Sequence, residues 1–327
     1  MADVARVAGV SAQTVSRVLS GHPNVNAVTR ARVRAAIEET GYRRNSLARA
    51  LVTGRTRTLG VITHETDFYS AGALMLGMQT AARAAGYFVS TASTSSLSSA
   101  AIEQAAARLL DQGVDGLVIA VPVRDEGALA QVTRDVPTVV VDGMRSLATE
   151  IVAVDQVEAG RLATEHLLGL GHATVWHVSG PESWNDALGR STGWQATLEE
   201  AGRDVPPVLY GDWTPESGYR NGLLLGRLPE VSAVFVASDE MAFGVVRGLT
   251  ELGRRVPDDV SVVGMDDIAL APYAAPPLTT VRQPFHDMGR RAVEHVVALV
   301  TDPQTVHEPE VVHPELVVRA STAPPPA

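Results

Sequence analysis

The sequence predicts a two-part protein: an all-α helix-turn-helix head with a hinge helix, joined to an α/β body of two doubly wound parallel-sheet subdomains. Three observations predict it. The charge is lopsided, because residues 1–57 hold ten arginines against Asp3, Glu38 and Glu39, a net of +7, which leaves −17 on the rest of a chain whose total is −10. Capped, glycine-stopped helical periodicities fill the head. Short Val-rich runs alternating with helical stretches fill the body. The expected boundaries are a head over 1–44, a hinge helix and linker over 45–57, a core over 58–323 and a disordered tail over 324–327. Within the core, the first subdomain takes about 58–143 and 285–313, and the second about 144–284 and 314–323.

In the head, "ADVARVAGV" sets Val4, Val7 and Ala8 on one helical face, and Gly9 supplies the turn. Ser11 stands where an N-cap belongs, so a second helix runs from about residue 12 to 20. Its Val15, Val18 and Leu19 face inward, while Ala12, Gln13, Ser16 and Arg17 share the other side. A third helix follows in "NAVTRARVRAAIEETGY", capped by Asn26, apolar at Val33, Ala36 and Ile37, and stopped at Gly41. The second helix of such a unit lies in the DNA major groove with its first residues at the base edges. Arginine donates twice to guanine, and glutamine pairs with adenine. Ser11, Thr14 and Ser16 are short donors suited to phosphates. Next, "NSLARALVTG" offers Asn45 as a cap and barely two helical turns, too few to persist alone in water. It reads either as a frayed linker or as a hinge helix that folds on DNA and wedges Leu51 into the minor groove.

In the body, strands are expected at "TLGVIT", "FVSTAS", "GLVIAV" and "TVVVDG", then at "TVWHVSG", "PVLYGD", "AVFVAS" and "VSVVGMD". Continuous apolar strands alternating with helices mean parallel sheets covered on both faces. Ligands in such sheets sit beyond the carboxyl ends of the strands, here between the two halves. At or near those ends stand Phe68, Tyr69, Arg190, Trp213, Ser238, Asp239, Asp266, Asp267 and Gln283. Rings to cover a sugar's apolar face, with carboxylate, amide and guanidinium groups for its hydroxyls, make a carbohydrate-binding set.

Composition narrows the function classes. All 27 basic residues are arginine and there is no cysteine, which removes the P-loop lysine, Schiff-base chemistry, thiolate nucleophiles and disulfides. No G-x-S-x-G elbow, H-E-x-x-H or strand-linked G-x-G-x-x-G occurs, and His64–Glu65 reads as a surface pair. No cofactor and no metal are expected. No apolar run reaches the roughly 18 residues of a membrane span, and no signal-peptide core opens the chain, so a cytoplasmic protein is expected. Two rivals remain: an enzyme, disfavoured by the missing motifs, and a periplasmic sugar-binding protein, whose architecture the body shares. The basic head speaks against the second.

"DVARVAGVSAQTVSRVLSG", "VTRARVRAAIEETGYRRNSLARAL" and the body motifs "EHLLGLGH", "GDWTPESGY", "SDEMAFG", "SVVGMDD" and "PPLTTVRQPF" together resemble the lactose-repressor (LacI/GalR) family of bacterial transcription regulators. The resemblance covers nearly the whole chain and is strongest to the family's lactose-responsive member. It implies a periplasmic-binding-protein-like body, a palindromic double-stranded operator and release by a small carbohydrate. Ala12, Gln13 and Arg17 become the base readers, with Ala48 and Leu51 in the minor groove. Ser11, Thr14, Ser16, Asn24, Asn26 and Asn45 complete the DNA-contacting set. Phe68, Arg190, Trp213, Ser238, Asp266, Gln283 and Phe285 fall on effector-site positions of the family. This chain departs from that member at Ala12, where a larger residue is usual, and at Arg124 and Asp186, where it has an acid and a serine. The effector need not be a galactoside. A homodimer is expected, since one recognition helix reads only a few base pairs. Its surface would involve outer helices of the body such as the one bearing the Leu74, Met75 and Met78 stripe, with part of that stripe expected in the core instead. "STAPPPA" leaves no heptad for tetramerisation.

Overall fold

The computed structural model describes residues 1–19, 21–42, 54–64, 68–121, 136–142, 151–305 and 308–326. The chain forms two units, Met1–Thr56 and Arg57–Ala327. The hinge positions Asn45, Ala48 and Leu51, and Arg124, lie outside the described residues.

The head is three helices, α1 (Ala2–Ala8), α2 (Ala12–Leu19) and α3 (Ala27–Thr40). Gly9 ends α1 and Gly41 ends α3, each in the left-handed region that glycine enters at least cost (φ 61° and 58°). Ser11 caps α2 by accepting from the Thr14 amide at 3.1 Å, and Asn26 caps α3 by accepting from the Thr29 amide at 2.8 Å. Val4, Ala5, Ala8, Val15, Val33 and Ala36 form the core. Val7 is the exception among the expected core residues: it is exposed, and Ala5 takes its place beside Val4 and Ala8.

The body strands are β1 (Thr58–His64), β2 (Phe88–Thr94), β3 (Gly116–Ala120), β4 (Thr138–Val141), β5 (Ile151–Val154), β6 (Trp176–Ser179), β7 (Leu209–Tyr210), β8 (Ala233–Val236), β9 (Ser261–Asp266), β10 (Thr279–Arg282), β11 (Glu310–Val312) and β12 (Glu315–Val317). Between them run α4 (Tyr69–Ala84), α5 (Ser99–Asp111), α6 (Gln156–Gly169), α7 (Asn185–Glu200), α8 (Pro215–Leu225), α9 (Asp239–Glu251) and α10 (Phe285–Thr301). One sheet has the order β11-β5-β4-β3-β1-β2 and is parallel throughout. The other has the order β12-β10-β9-β8-β6-β7, parallel except for the β10/β12 pair. Each sheet therefore gains two strands over the four expected from the apolar runs.

The chain changes sheets three times, after Val154, after Arg282 and after Val312. The first change corrects an expected boundary: Ile151–Val154 belongs to the first sheet, so the chain crosses after residue 154 rather than at 144. Three helix pairs then touch backbone to backbone through glycine. A methyl on Gly77 or Gly289 would overlap the α4/α10 contact, one on Gly160 or Gly193 the α6/α7 contact, and one on Gly218 or Gly244 the α8/α9 contact. The residues expected to be an apolar outer stripe, Leu74, Met75 and Met78, pack against the first core and line the cleft, because α4 turns that face to the sheet and to α10. Near the C-terminus, His172 reaches the Ala323 carbonyl at 3.0 Å, and Pro325 is half-buried, so the expected disordered tail is held at least that far.

Candidate functional site

In the head, Ser11, Ala12, Gln13, Ser16, Arg17, Asn24 and Asn26 are exposed and Thr14 is half-buried. Because Val15 is fully buried, the neighbouring turn of α2 must point outward, and Gln13, Ser16 and Arg17 occupy that side. Ser11 and Thr14 share a 3.0 Å hydroxyl–hydroxyl bond at the cap. This stiffens the first turn, which presents Ala12 and Gln13.

In the body, a cavity of about 110 Å³ opens between the two sheets at their carboxyl ends. Phe68, Arg190, Trp213, Ser238, Asp266 and Phe285 line it, as the sequence suggested. Trp213 reaches it through a backbone in the left-handed region (φ 71°), and its indole lies over Gly180, where any Cβ would overlap the ring. Trp184 meets the Trp213 ring edge-on at 5.6 Å, and His64 meets Trp184 at 5.8 Å. The buried Trp213 Nε1 has no hydrogen-bond partner among the described residues.

Arg190 is 3% exposed. Its Nε donates to Gln156 Oε1 at 2.9 Å and its Nη1 to the Ala237 carbonyl at 2.5 Å, while Nη2 stands 3.8 Å from Asp186. The guanidinium also lies 5.5 Å over the Trp213 ring. Around this arginine the cavity gathers Asp142, Asp186, Glu240 and Asp266. Burial pushes the Asp142 carboxyl up to about 8, helped by the Asp186 charge, and pushes Asp266 up to about 7 against the pull of Arg190 and Gln283. Burial raises Asp186 as well. At neutral pH this wall can therefore both donate and accept hydrogen bonds. Asp142, Trp213 and Asp266 are three of the five non-glycine residues with positive φ among the described residues, so backbone strain is concentrated here.

Three expected site residues do not line the cavity. Asp239 is fully buried and structural: it accepts from the Ile268 amide at 2.9 Å and the Thr280 hydroxyl at 2.6 Å. Gln283 is buried and donates to Asp266 Oδ1 at 2.5 Å. Tyr69 turns its ring edge to Phe285 and donates its amide to Glu240. His64 corrects another expectation. It lines the cavity, with Nδ1 2.9 Å from the Thr94 carbonyl, because it ends β1 on the cleft side. Sequence reasoning missed Asp142, Trp184 and Glu240 as wall residues. Asp142 follows the run "TVVV" directly, and strand-end position was the signal available for it.

The comparisons with known proteins agree with this architecture. The family model for bacterial regulatory proteins of the lacI family matches residues 1–45, and the periplasmic binding protein-like domain model matches residues 164–322. The chain is 36% identical to the HTH-type transcriptional regulator CelR of Thermobifida fusca, over 97% of this chain and 96% of that one. It is 33% identical to the lactose operon repressor of Escherichia coli K12, over 99% and 90%. A crystal structure of the lac repressor dimer bound to operator and the anti-inducer ONPF superposes with a TM-score of 0.91 at 32% identity, covering 98% of both chains. The CelR–cellobiose complex superposes with a TM-score of 0.74 at 33% identity, again over 98% of both. With a helix-turn-helix head, a two-sheet body and relatives above 30% identity along nearly its whole length, this chain belongs to the lacI family of bacterial transcription regulators.

Proposed function

We propose that this regulator represses carbohydrate-utilisation genes and leaves its operator when a small sugar, a galactoside or another glycoside, fills the cleft. Ala12, Gln13 and Arg17 read base edges in a palindromic operator. Ser11, Thr14, Ser16, Asn24, Asn26 and Asn45 hold the backbone, and Ala48 and Leu51 enter the minor groove. Phe68, Trp213 and Phe285 cover the sugar's apolar faces while Arg190, Ser238 and Asp266 bind hydroxyls; Tyr69, Asp239 and Gln283 support that wall. The protein acts as a homodimer in the bacterial cytoplasm, at the nucleoid, and catalyses no reaction.

The observation that carries this reading is the wall itself. Rings and buried hydrogen-bonding charges meet in one cavity, on two subdomains joined by three crossovers. A ligand touching both halves favours one relative arrangement of them, and that difference in affinity is what displaces DNA. The test is a panel of mono- and disaccharides, cellobiose and lactose included, screened by thermal shift of the full chain and then by gel shift on the chain's own promoter region. A stabilising sugar that also releases the DNA is the expected result. Release by none, or turnover of a bound glycoside, overturns the reading.

A further inference from the structure

We propose that Gln156 is a positioning residue of the cleft, acting through Gln283 to aim a hydrogen bond at Asp266 and to fasten Asp266 and Arg190 to two of the three crossovers. The proposal rests on the reading of the cleft as the effector site. Four side chains form a line in which every donor is fixed. Arg190 Nε donates to Gln156 Oε1 at 2.9 Å, Gln156 Nε2 donates to Gln283 Oε1 at 2.9 Å, and Gln283 Nε2 donates to Asp266 Oδ1 at 2.5 Å. A guanidinium has no acceptor, so Arg190 takes the Gln156 oxygen and thereby sets both amides, and Asp266, when ionised, completes the line as an acceptor. Either glutamine alone could turn over; between these ends neither can.

Burial makes the line stiff. Arg190, Gln283 and Asp266 are each under a tenth exposed, where hydrogen bonds strengthen and an unmet partner is costly. The helix pair that carries the first link is held at contact distance: Gly160 and Gly193 allow the α6 and α7 backbones to touch, and a Cβ on Gly189 would stand 2.6 Å from that of Gln156. No other residue than glycine at 189 leaves Gln156 its place.

The middle of the line sits where the subdomains join. Gln156 opens α6 directly after the crossover from β5, and Gln283 lies in the crossover between β10 and α10. The third crossover is tied to the first by the Asp155 amide donating to the Val312 carbonyl at 3.1 Å. Relative movement of two such halves is absorbed by a few residues at these joints. A group that draws on Asp266 or Arg190 in the cleft therefore draws on the joints through two amides.

The experiment needs no ligand. In the full chain labelled with ¹³C at the aspartate carboxyls, the Asp266 signal, identified by its loss in Asp266→Asn, is titrated from pH 5 to 9. Its surroundings set the baseline: burial, Glu240 and Asp186 raise it, while Arg190 and Gln283 lower it. Gln156→Leu should move the midpoint upward, because Gln283 is no longer held as a donor. In a Gln283→Leu background the same change should add nothing. Gln156→Glu, which keeps the size and the Arg190 bond but reverses the donor, should also move it upward and serves if the leucine variant does not fold. An unmoved midpoint in the single variants, or equal shifts in both backgrounds, overturns the proposal. Neither result bears on whether a sugar binds, which the panel decides.

Discussion

Asp142 and Asp186 face one cavity from opposite subdomains, Asp142 at the end of β4 and Asp186 in the first turn of α7, and the charge of Asp186 adds to burial in pushing Asp142 up to about 8. The linkage has a definite sign. A carboxyl that holds its proton more tightly when folded favours the folded state below its folded pKa, so its contribution falls as pH rises from about 4 to about 8. Asp266, at about 7, acts in the same direction over most of that range. Each such proton is worth at most about 1.4 kcal/mol per pH unit.

The expected outcome is a melting temperature that declines between about pH 7 and pH 8; below about 6.5 the imidazoles of His166, His172 and His177, lowered by burial, push stability the other way. Asp142→Asn should reduce that slope, since the amide has no proton to lose. The acids held low by partners, such as Asp259 at about 2, titrate well below this window and do not mask it. Parallel slopes for the two proteins would show that Asp142 does not carry the effect.

Asp239 and Asp266 look alike in sequence and differ in role. Asp239→Ala leaves the Ile268 amide and the Thr280 hydroxyl without their acceptor inside the core. A loss of about 2–4 kcal/mol in urea unfolding is expected, the cost of two stranded donors. Asp266→Ala should instead weaken or abolish release of DNA by the effector. The assignment fails if Asp239→Ala keeps full stability and loses only its response to sugar.

What the sequence made legible follows from how local each signal is. The caps of α2 and α3, at Ser11 and Asn26, and the stops at Gly9 and Gly41 are decided within four residues, and the structure has them where they were expected. The wall positions of Arg190, Trp213 and Asp266 rest on strand-end placement and on resemblance. Longer-range facts escaped. β5 is four residues long and sits in the first sheet because its neighbours β4 and β11 complete its hydrogen bonds, which no local pattern reveals. Asp239 was read as a wall residue because it stands with Ser238 at the end of "VFVAS", yet a cap residue and its successor on a helix point different ways. His64 was read as a surface residue because its ring partner, Trp184, lies 120 residues away.

The reading face of α2 separates specific from general DNA affinity. Arg17→Ala should cost about 1–3 kcal/mol on the operator and relax preference at one base position, the worth of one bidentate contact. Ser16→Ala should weaken operator and random DNA alike, because a phosphate contact carries no sequence information. Binding of both DNAs should fall steeply with salt as the arginine-rich head displaces counterions. Equal losses on both DNAs for Arg17→Ala would remove it from the base readers.

The last prediction concerns assembly. A shallow groove on the second subdomain runs between α9, through Phe243 and Val246, and the loop from Leu270 to Leu278. Leu270 is 64% and Tyr273 84% exposed, which makes an apolar rim unusual on a lone chain. By contrast, on α4 Met78 is buried and Leu74 and Met75 are half-buried against the first core. A two-fold dimer closed over the α9 groove buries Leu270 and Tyr273 and doubles the DNA contacts of the two heads. Light scattering of the wild-type chain at micromolar concentration should give about twice the 34.5 kDa chain mass. Leu270→Glu with Tyr273→Glu places two carboxylates where an apolar partner must desolvate them, so the mass should drop toward one chain and operator affinity should fall with it. A double variant that still weighs two chains moves the interface elsewhere on the body. A wild-type chain that weighs one removes the dimer.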